Sequence, residues 1–120
     1  MEADAHCILN ACPHQLDDPV FFLFEVHVAP GYAAEQYAEA WVRASEIIQR
    51  APGARGTRLH RKIGDESVLL AMASWETKAQ RDAMESNQPE TVRQIIEQQA
   101  EFVEIRVIGE FEDPEWLVDP

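Results

Sequence analysis

The chain has 120 residues, with 22 acidic and 10 basic side chains and a formal net charge of −12 at pH 7. This length fits one domain, and an apolar content of 46% is typical of a globular protein. The negative charge disfavours nucleic acid and anionic membranes as partners. The sequence has neither the run of about 18 apolar residues of a membrane-spanning helix nor a secretory signal, so we expect a cytoplasmic protein.

Residues 1–18 show neither helical nor strand periodicity and end at Pro19, which predicts a loosely ordered N-terminal arm. The arm carries His6, Cys7, Cys12 and His14, four side chains that can ligate a soft metal. Structural zinc sites pair their ligands at regular short spacings within a closed shell of four. Incidental clustering is therefore favoured over a metal site, and both cysteines are expected to be free thiols in a reducing compartment.

The first strand and the first helix are predicted from two different repeat periods of the apolar residues. In Val20–Ala29 the apolar side chains alternate, which is typical of a strand with one dry face. Pro30-Gly31 closes this strand. From Ala33 to Arg50 the apolar residues follow a helical stripe, and Pro52-Gly53 ends the helix. The stripe consists of Ala33, Tyr37, Ala40, Trp41, Ala44, Ile47 and Ile48.

The next two strands are predicted to form a hairpin. Ala54–Ile63 alternates again, and Gly64-Asp65 is a glycine-first pair of the kind that makes a two-residue turn. The segment Ser67–Glu76 is almost continuously apolar over the length of a strand, which indicates a central strand buried on both faces.

The last third of the chain is predicted as a broken helix, a strand and a tail. Thr77 and Gln80 have the spacing of a capping box, and Asn87-Gln88-Pro89 divides the following helix into two pieces. Glu101–Glu112 is a closing strand, in which Val103, Ile105, Val107, Gly109 and Phe111 are expected on one face. Residues 113–120 form a tail, in which Trp116 and Leu117 are expected to dock on a neighbour.

The element order, strand, helix, strand, strand, helix, strand, predicts an α+β, ferredoxin-like βαββαβ domain over residues 19–112 with a four-stranded antiparallel sheet. Right-handed crossovers place the helices on one face. The uncovered face is too apolar for open water and too charged for a dry core, so we expect a homodimer built sheet to sheet. That face carries Leu23, Glu25, His27, Arg58, His60, Val68, Leu70, Met72, Phe102, Glu104, Arg106 and Ile108.

With Pro-Gly after the first strand, Gly56 entering the second, and an apolar third strand ending Ser74-Trp75-Glu76-Thr77 before a helix, the chain resembles the antibiotic biosynthesis monooxygenase family. The likeness spans about Pro19 to Glu112 and implies a dimeric α+β barrel. Members oxygenate polycyclic phenols without a metal or flavin, degrade haem, or have no known activity. By this resemblance the protein needs no cofactor and binds a small aromatic molecule between sheet and helices.

The resemblance also implies a set of site residues. The pocket walls would be Phe22, Phe24, Val26, Tyr37, Trp41, Leu59, Arg61, Ala71, Ala73, Trp75 and Ile105. The residues of haem-degrading members are not matched, since their places fall near Phe24, Met84 and Gln94. The asparagine that some phenol-oxygenating members place four residues before the strand tryptophan is Ala71 here. Trp75 alone carries over, either as a catalytic residue or as a core residue.

His27 and His60 share the uncovered face with Glu25 and Glu104. A histidine beside a carboxylate can act as a general base toward a phenol, and Glu25 with both histidines could hold a metal. A hydrogen-bonded interface cluster is favoured over both, because these side chains point away from the expected pocket. Three functions follow as hypotheses: a cofactor-independent monooxygenase, a non-catalytic binding or regulatory dimer, and an isomerase or cyclase.

Overall fold

The four strands form one antiparallel sheet in the computed structural model, which describes residues 15–120. The order along the sheet is β2-β3-β1-β4, and the chain order is that of a ferredoxin-like fold with its second helix divided in two, so the predicted fold class is confirmed. The arm residues His6, Cys7, Cys12 and His14 lie outside the described residues. In chain order the elements are β1 (Val20–Val28), α1 (Ala34–Ile48), β2 (Ala54–Arg61), β3 (Val68–Trp75), α2 (Lys78–Ser86), α3 (Glu90–Gln99) and β4 (Val103–Phe111).

Strand β3 lies at the centre of the sheet, as its apolar sequence predicts. It pairs with β1 on one side and β2 on the other, so that Ala71 lies between Phe24 and Leu59. A strand with neighbours on both edges has its backbone groups paired away from water. The side chains of Leu69 and Ala71 on one face are buried, whereas Leu70 and Met72 on the other face are half-buried, so burial on both faces is only partly found. Trp75 is 1% exposed at its end.

The three helices cover one face of the sheet, here called the helix face. The core cluster on this face joins Val26, Val28 and Leu69 of the sheet to Ala34 and Tyr37 of α1. Helix α3 adds Val92, which is fully buried. Burial of an aliphatic side chain of this size contributes about 1.5–3 kcal/mol, so this layer holds the helices on the sheet.

The opposite face, here called the open face, is not covered by any described helix. The strand register places alternate residues there, including Leu23, Glu25 and His27 of β1. Leu70 and Met72 of β3 lie beside them and are half-buried. The open face also carries Phe21, Arg58, His60, Val68, Ser74, Glu104 and Arg106.

The predicted faces of β4 are wrong for its second half, because β4 contains a β-bulge. Phe24 pairs with Val107 but Leu23 pairs with Gly109, so Ile108 is an extra residue in the strand. An extra residue reverses the alternation beyond it. Phe111 therefore pairs with Phe21 and Gly109 with Leu23 on the open face, while Glu110 pairs with Phe22 and turns to the helix face. Phe102 was predicted on the open face but instead packs against the core cluster of the helix face and stacks on Tyr32, with 4.7 Å between ring centroids.

The hairpin between β2 and β3 is longer than the predicted two-residue turn. β2 ends at Arg61, and the Lys62 N–H still donates to the Val68 carbonyl at 2.9 Å. Asp65 then accepts hydrogen bonds from the N–H and hydroxyl of Ser67. These local bonds stabilise an extended tip, which leaves Ile63 98% exposed.

The start of α2 is capped by Thr77, as predicted. Its hydroxyl oxygen accepts a hydrogen bond from the Gln80 N–H at 3.1 Å, which satisfies a backbone donor that has no partner in the first helical turn. The Gln80 side chain differs from prediction, because its Oε1 accepts from the Thr77 hydroxyl at 3.0 Å.

The C-terminal tail begins after β4, and the side chain of Arg55 on β2 reaches its start. Arg55 donates to Asp113 Oδ1 at 3.3 Å and to Ser74 Oγ at 2.8 Å. Beyond this contact Trp116 and Leu117 are 86% and 74% exposed, so docking of the tail on another molecule stays a prediction. Within residues 15–120 no helix has the length and apolar character needed to cross a membrane.

Candidate ligand cavity

A cavity of about 420 Å³ lies between the helix face and the three helices. Its floor is formed by the strands, because alternation in β1 turns Phe22 and Phe24 to this face. Their rings are 5.5 Å apart between centroids and tilted by 42°. Trp75 closes the floor at the end of β3, and the other strand residues in it are Thr57, Ala73, Val103 and Ile105.

Helix α1 provides one wall. Tyr37, Trp41 and Ile48 line the cavity together with Ala40, Ala44 and Ser45, at the spacing of one helical stripe. The small side chains in the middle of this stripe leave the space that the cavity occupies. A volume of this size suits a drug-sized or smaller ligand, and aromatic walls suit a flat one.

Helices α2 and α3 provide the remaining wall, whose residues the sequence analysis did not identify. Arg81, Met84 and Glu85 recur at i, i+3 and i+4, so one stripe of α2 faces the cavity, and Gln88 continues it just beyond the helix end. This helical spacing was the sequence signal from which these wall residues could have been identified. From α3 and the residue that follows it come Ile95, Ile96, Gln99 and Ala100.

Arg81 is the cationic group of the wall. Its guanidinium carbon lies 4.0 Å from the centroid of the Phe22 ring, and its side chain is 13% exposed. It pairs with Glu110 at 3.1 Å and with Glu85 at 2.8 Å. Glu110 reaches Arg81 because the bulge in β4 turns it to the helix face. The charge of Arg81 is thus compensated within the wall.

Lys78 completes this ion-pair network. Its ammonium group lies 3.0 Å from Glu110 and 3.2 Å from Asp82. The hydrogen bond to Glu110, followed by that to Asp82, raises the pKa of Lys78 above its ordinary value. The network joins α2 to the end of β4.

Two polar side chains at the cavity bear on ligand binding. Tyr37 is 8% exposed, and this burial raises its pKa to about 12, so the phenol stays protonated at neutral pH and does not serve as a base. Gln99 has a side-chain oxygen that is buried and has no hydrogen-bond donor among residues 15–120.

Of the pocket residues predicted from sequence, seven line the cavity together: Phe22, Phe24, Tyr37, Trp41, Ala73, Trp75 and Ile105. The other four do not, and Val26 is buried in the core cluster. Leu59 packs against the core cluster, Ala71 is 1% exposed beneath it, and Arg61 donates to Glu35 Oε2 at 2.9 Å on α1.

The two histidines lie on the open face, on the other side of the sheet from the cavity. His27 Nε2 is 2.8 Å from Glu25 Oε1. His60 pairs with Leu70, two strands from Glu25, so β3 separates the imidazoles. The nearby Glu104 carboxylate accepts a hydrogen bond from Arg106 at 3.1 Å, and this bond lowers the pKa of Glu104. No cluster of three or more potential metal ligands occurs within residues 15–120.

The fold and cavity define a ferredoxin-like domain with an aromatic pocket between sheet and helices. The family model for antibiotic biosynthesis monooxygenase matches residues 19–97, and the chain belongs to this family. No curated protein matches it.

Solved structures with the same fold are similar to the chain at low sequence identity. SnoaB, a cofactor-independent oxygenase from Streptomyces nogalater, is 16% identical, with a TM-score of 0.72 over 85% of this chain and 99% of SnoaB. A conserved protein of unknown function from Bacteroides thetaiotaomicron is 15% identical, with a TM-score of 0.69 over 81% and 99%. A conserved protein from Methanosarcina mazei is 11% identical, with a TM-score of 0.66 over 82% and 95%.

Proposed function

We propose that the protein is a monooxygenase that oxidises a small aromatic or polyketide-like molecule with molecular oxygen and without a metal or flavin. The observation that carries this proposal is the aromatic cavity of about 420 Å³ between the sheet and the helices. Membership of the monooxygenase family supports the reaction type. The oxygenase SnoaB shares the fold.

The proposed reaction uses the substrate as its own electron donor. A ring methylene next to a carbonyl, as in an anthrone, loses a proton to water, and the resulting carbanion passes one electron to O2. The substrate radical and superoxide then combine, so that a C–O bond forms, and protonation gives a hydroperoxide. Loss of water from the hydroperoxide gives the ketone, with one oxygen atom in the product and the other in water.

The cavity residues contribute binding of the ring rather than proton transfer, in which water takes the proton. Trp75 and Trp41 hold the ring from the sheet and from α1. Glu85 is the one carboxylate residue among the described lining residues, and Arg81 pairs with it. The aromatic walls hold the substrate radical and superoxide together until the C–O bond forms.

We further propose that the protein works as a homodimer joined through the open face. Leu23, Leu70 and Met72 form an apolar centre there and are half-buried in the single chain. Charged residues surround this centre, with Arg58 on β2 and Glu104 on β4. A second copy across a two-fold axis would bury the centre and bring such opposite charges together. His27 and His60 then belong to the interface.

Oxygen uptake tests the proposed reaction. The purified protein is given dihydroxynaphthalenes and anthrones, with and without a chelator, beside the variant Trp75→Phe. We expect uptake that requires the protein, survives the chelator and falls in the variant, with one labelled oxygen atom from ¹⁸O2 in the product. Product formation without oxygen would instead identify an isomerase or cyclase. Binding without any product would identify a binding protein.

A further inference from the structure

The amide oxygen of Gln99 is a buried acceptor without a donor. Gln99 is the last residue of α3 and lines the cavity. Its Oε1 is shielded from water and receives no hydrogen bond from any residue in 15–120. Folded proteins pair nearly all such groups, since an unpaired one costs free energy. Because the Gln99 side chain lines the cavity, a turn of its amide would bring this orphaned acceptor to a donor on the ligand.

We propose that Gln99 is a specificity-determining residue, which accepts a hydrogen bond from a hydroxyl group of the bound aromatic molecule. This inference rests on the proposed function, since it concerns the same cavity. The terminal torsion of a glutamine is broad, so the amide turns toward a ligand at little cost. A site built on an acceptor rejects an analogue without the donor, because the acceptor is then buried unpaired.

The position of Gln99 defines the orientation of the ligand. The backbone carbonyl of Gln99 accepts a hydrogen bond from the Phe102 N–H. The backbone carbonyl of Phe102 in turn accepts one from the Ala29 N–H, just beyond the end of β1. Arg81 stacks on Phe22, near the beginning of β1. The two polar groups thus lie toward opposite ends of a cavity whose middle is apolar and aromatic.

The charges at the Arg81 end favour a neutral ligand. Glu85 and Glu110 both pair with Arg81, so no uncompensated positive charge is left to attract an anion. The overall charge of −12 adds repulsion. The ligand class is therefore a neutral aromatic molecule with a free hydroxyl at the Gln99 end.

The hydroxyl held by Gln99 anchors the ligand and does not react. An acceptor stabilises the protonated form of a hydroxyl and raises its pKa. The proton lost before oxidation accordingly comes from another position of the ligand, away from Gln99.

The test compares 1-naphthol with its methyl ether, 1-methoxynaphthalene, which has the same ring but no donor. Binding is measured without oxygen by quenching of tryptophan fluorescence, because Trp41 and Trp75 line the cavity. We expect the unmodified protein to prefer 1-naphthol by roughly tenfold. In Gln99→Met, which keeps the length of the side chain, the ratio should fall to about one.

Gln98→Leu is the matched control, since Gln98 is exposed on the same turn of α3 and should keep the preference. Gln99→Leu is a second variant that also removes the acceptor. Both Gln99 variants should unfold at a temperature no lower than the unmodified protein, because they remove an unpaired buried acceptor. Equal affinities of the unmodified protein for the two probes, an unchanged ratio in the folded Gln99 variants, or no binding of either probe would overturn the inference.

The outcome separates this inference from the proposed function. A preference for 1-naphthol that disappears in the Gln99 variants supports the inference even if no substrate consumes oxygen. Oxygen uptake together with an unchanged ratio would support the monooxygenase and overturn the role of Gln99.

Discussion

The Arg81 guanidinium lies over the Phe22 ring at 4.0 Å because Glu110 holds it there from β4. This relationship links the bulge at Ile108, the docking of α2 and the shape of the cavity. If β4 paired with β1 in regular alternation, without the bulge, Glu110 would lie opposite Phe21 on the open face, where it could not reach Arg81. The position of the cavity wall thus depends on the bulge in this edge strand.

Removal of the Glu110 charge should loosen α2. We expect Glu110→Gln to lower the free energy of unfolding by about 1–2 kcal/mol, because both Lys78 and Arg81 lose a charged partner in a partly exposed network. Urea denaturation measures this change. Glu112→Gln, at an exposed position nearby, is the control, and equal midpoints for the two variants would contradict the role given to Glu110.

The ionisation of Tyr37 should make stability fall at high pH. A tyrosine in the unfolded chain has a pKa of about 10, and burial raises that of Tyr37 to about 12. The contribution of Tyr37 to the free energy of unfolding is present in full below pH ~10. It is lost as the pH rises through ~12, because Tyr37 releases its proton at a lower pH in the unfolded state than in the folded state.

Tyr37→Phe should have a flatter stability profile over this range and should lack the late step in tyrosinate absorbance. The other tyrosine, Tyr32, stays in place as an internal reference. An absorbance titration in which Tyr37→Phe still shows the late step would refute the assignment.

Gly53 should tolerate substitution less well than Gly31, although both have positive φ, +89° and +91°. An added Cβ at Gly53 would lie 2.8 Å from the Cβ of Gln80, whereas at Gly31 it would meet nothing within 4 Å. We expect Gly31→Ala to cost about 1 kcal/mol from backbone strain. Gly53→Ala should cost about 1–3 kcal/mol more. Thermal unfolding compares the two, and equal losses would show that Gln80 gives way freely.

The open face should control the oligomeric state. Leu70→Arg places a charge in the apolar centre of the proposed interface and should give a monomer in analytical ultracentrifugation at concentrations where the unmodified protein is a dimer. Val107→Arg is the control, because Val107 is 63% exposed on the helix face of β4. A dimer that survives Leu70→Arg but not Val107→Arg would place the interface elsewhere.

The parts of the fold that were predictable from sequence are those in which the apolar residues recur with a regular period. Alternation in Val20–Val28 and the apolar length of Val68–Trp75 give the strands and the faces of their side chains. The bulge was not predicted, because one extra residue leaves the pattern of each half intact and shows only as the adjacent apolar pair Val107-Ile108. The bulge places Glu110 on the helix face. This placement depends on how β4 pairs with β1, which the sequence of β4 alone does not specify.

The lining of the cavity was predictable where it lies on the sheet and on α1. Phe22, Phe24, Tyr37, Trp41 and Trp75 share the face that their periods indicate. Leu59 and Ala71 share that face too, but they lie under the core cluster, since sequence gives the face and not the lateral position of the helices. The stripe of α2 was missed because its residues are mostly polar, and a polar stripe on a short helix is more often solvated.

The central claim is that oxidation takes place in the cavity between the sheet and the helices. Oxygen uptake by Ser45→Phe and Val42→Phe tests it directly, since both substitutions are on α1 but only Ser45 lines the cavity, and Val42 is 45% exposed outside it. With both variants folded by circular dichroism, the account predicts that Ser45→Phe loses uptake and that Val42→Phe keeps it. Full uptake in Ser45→Phe would contradict the account, because the added ring fills the space assigned to the substrate.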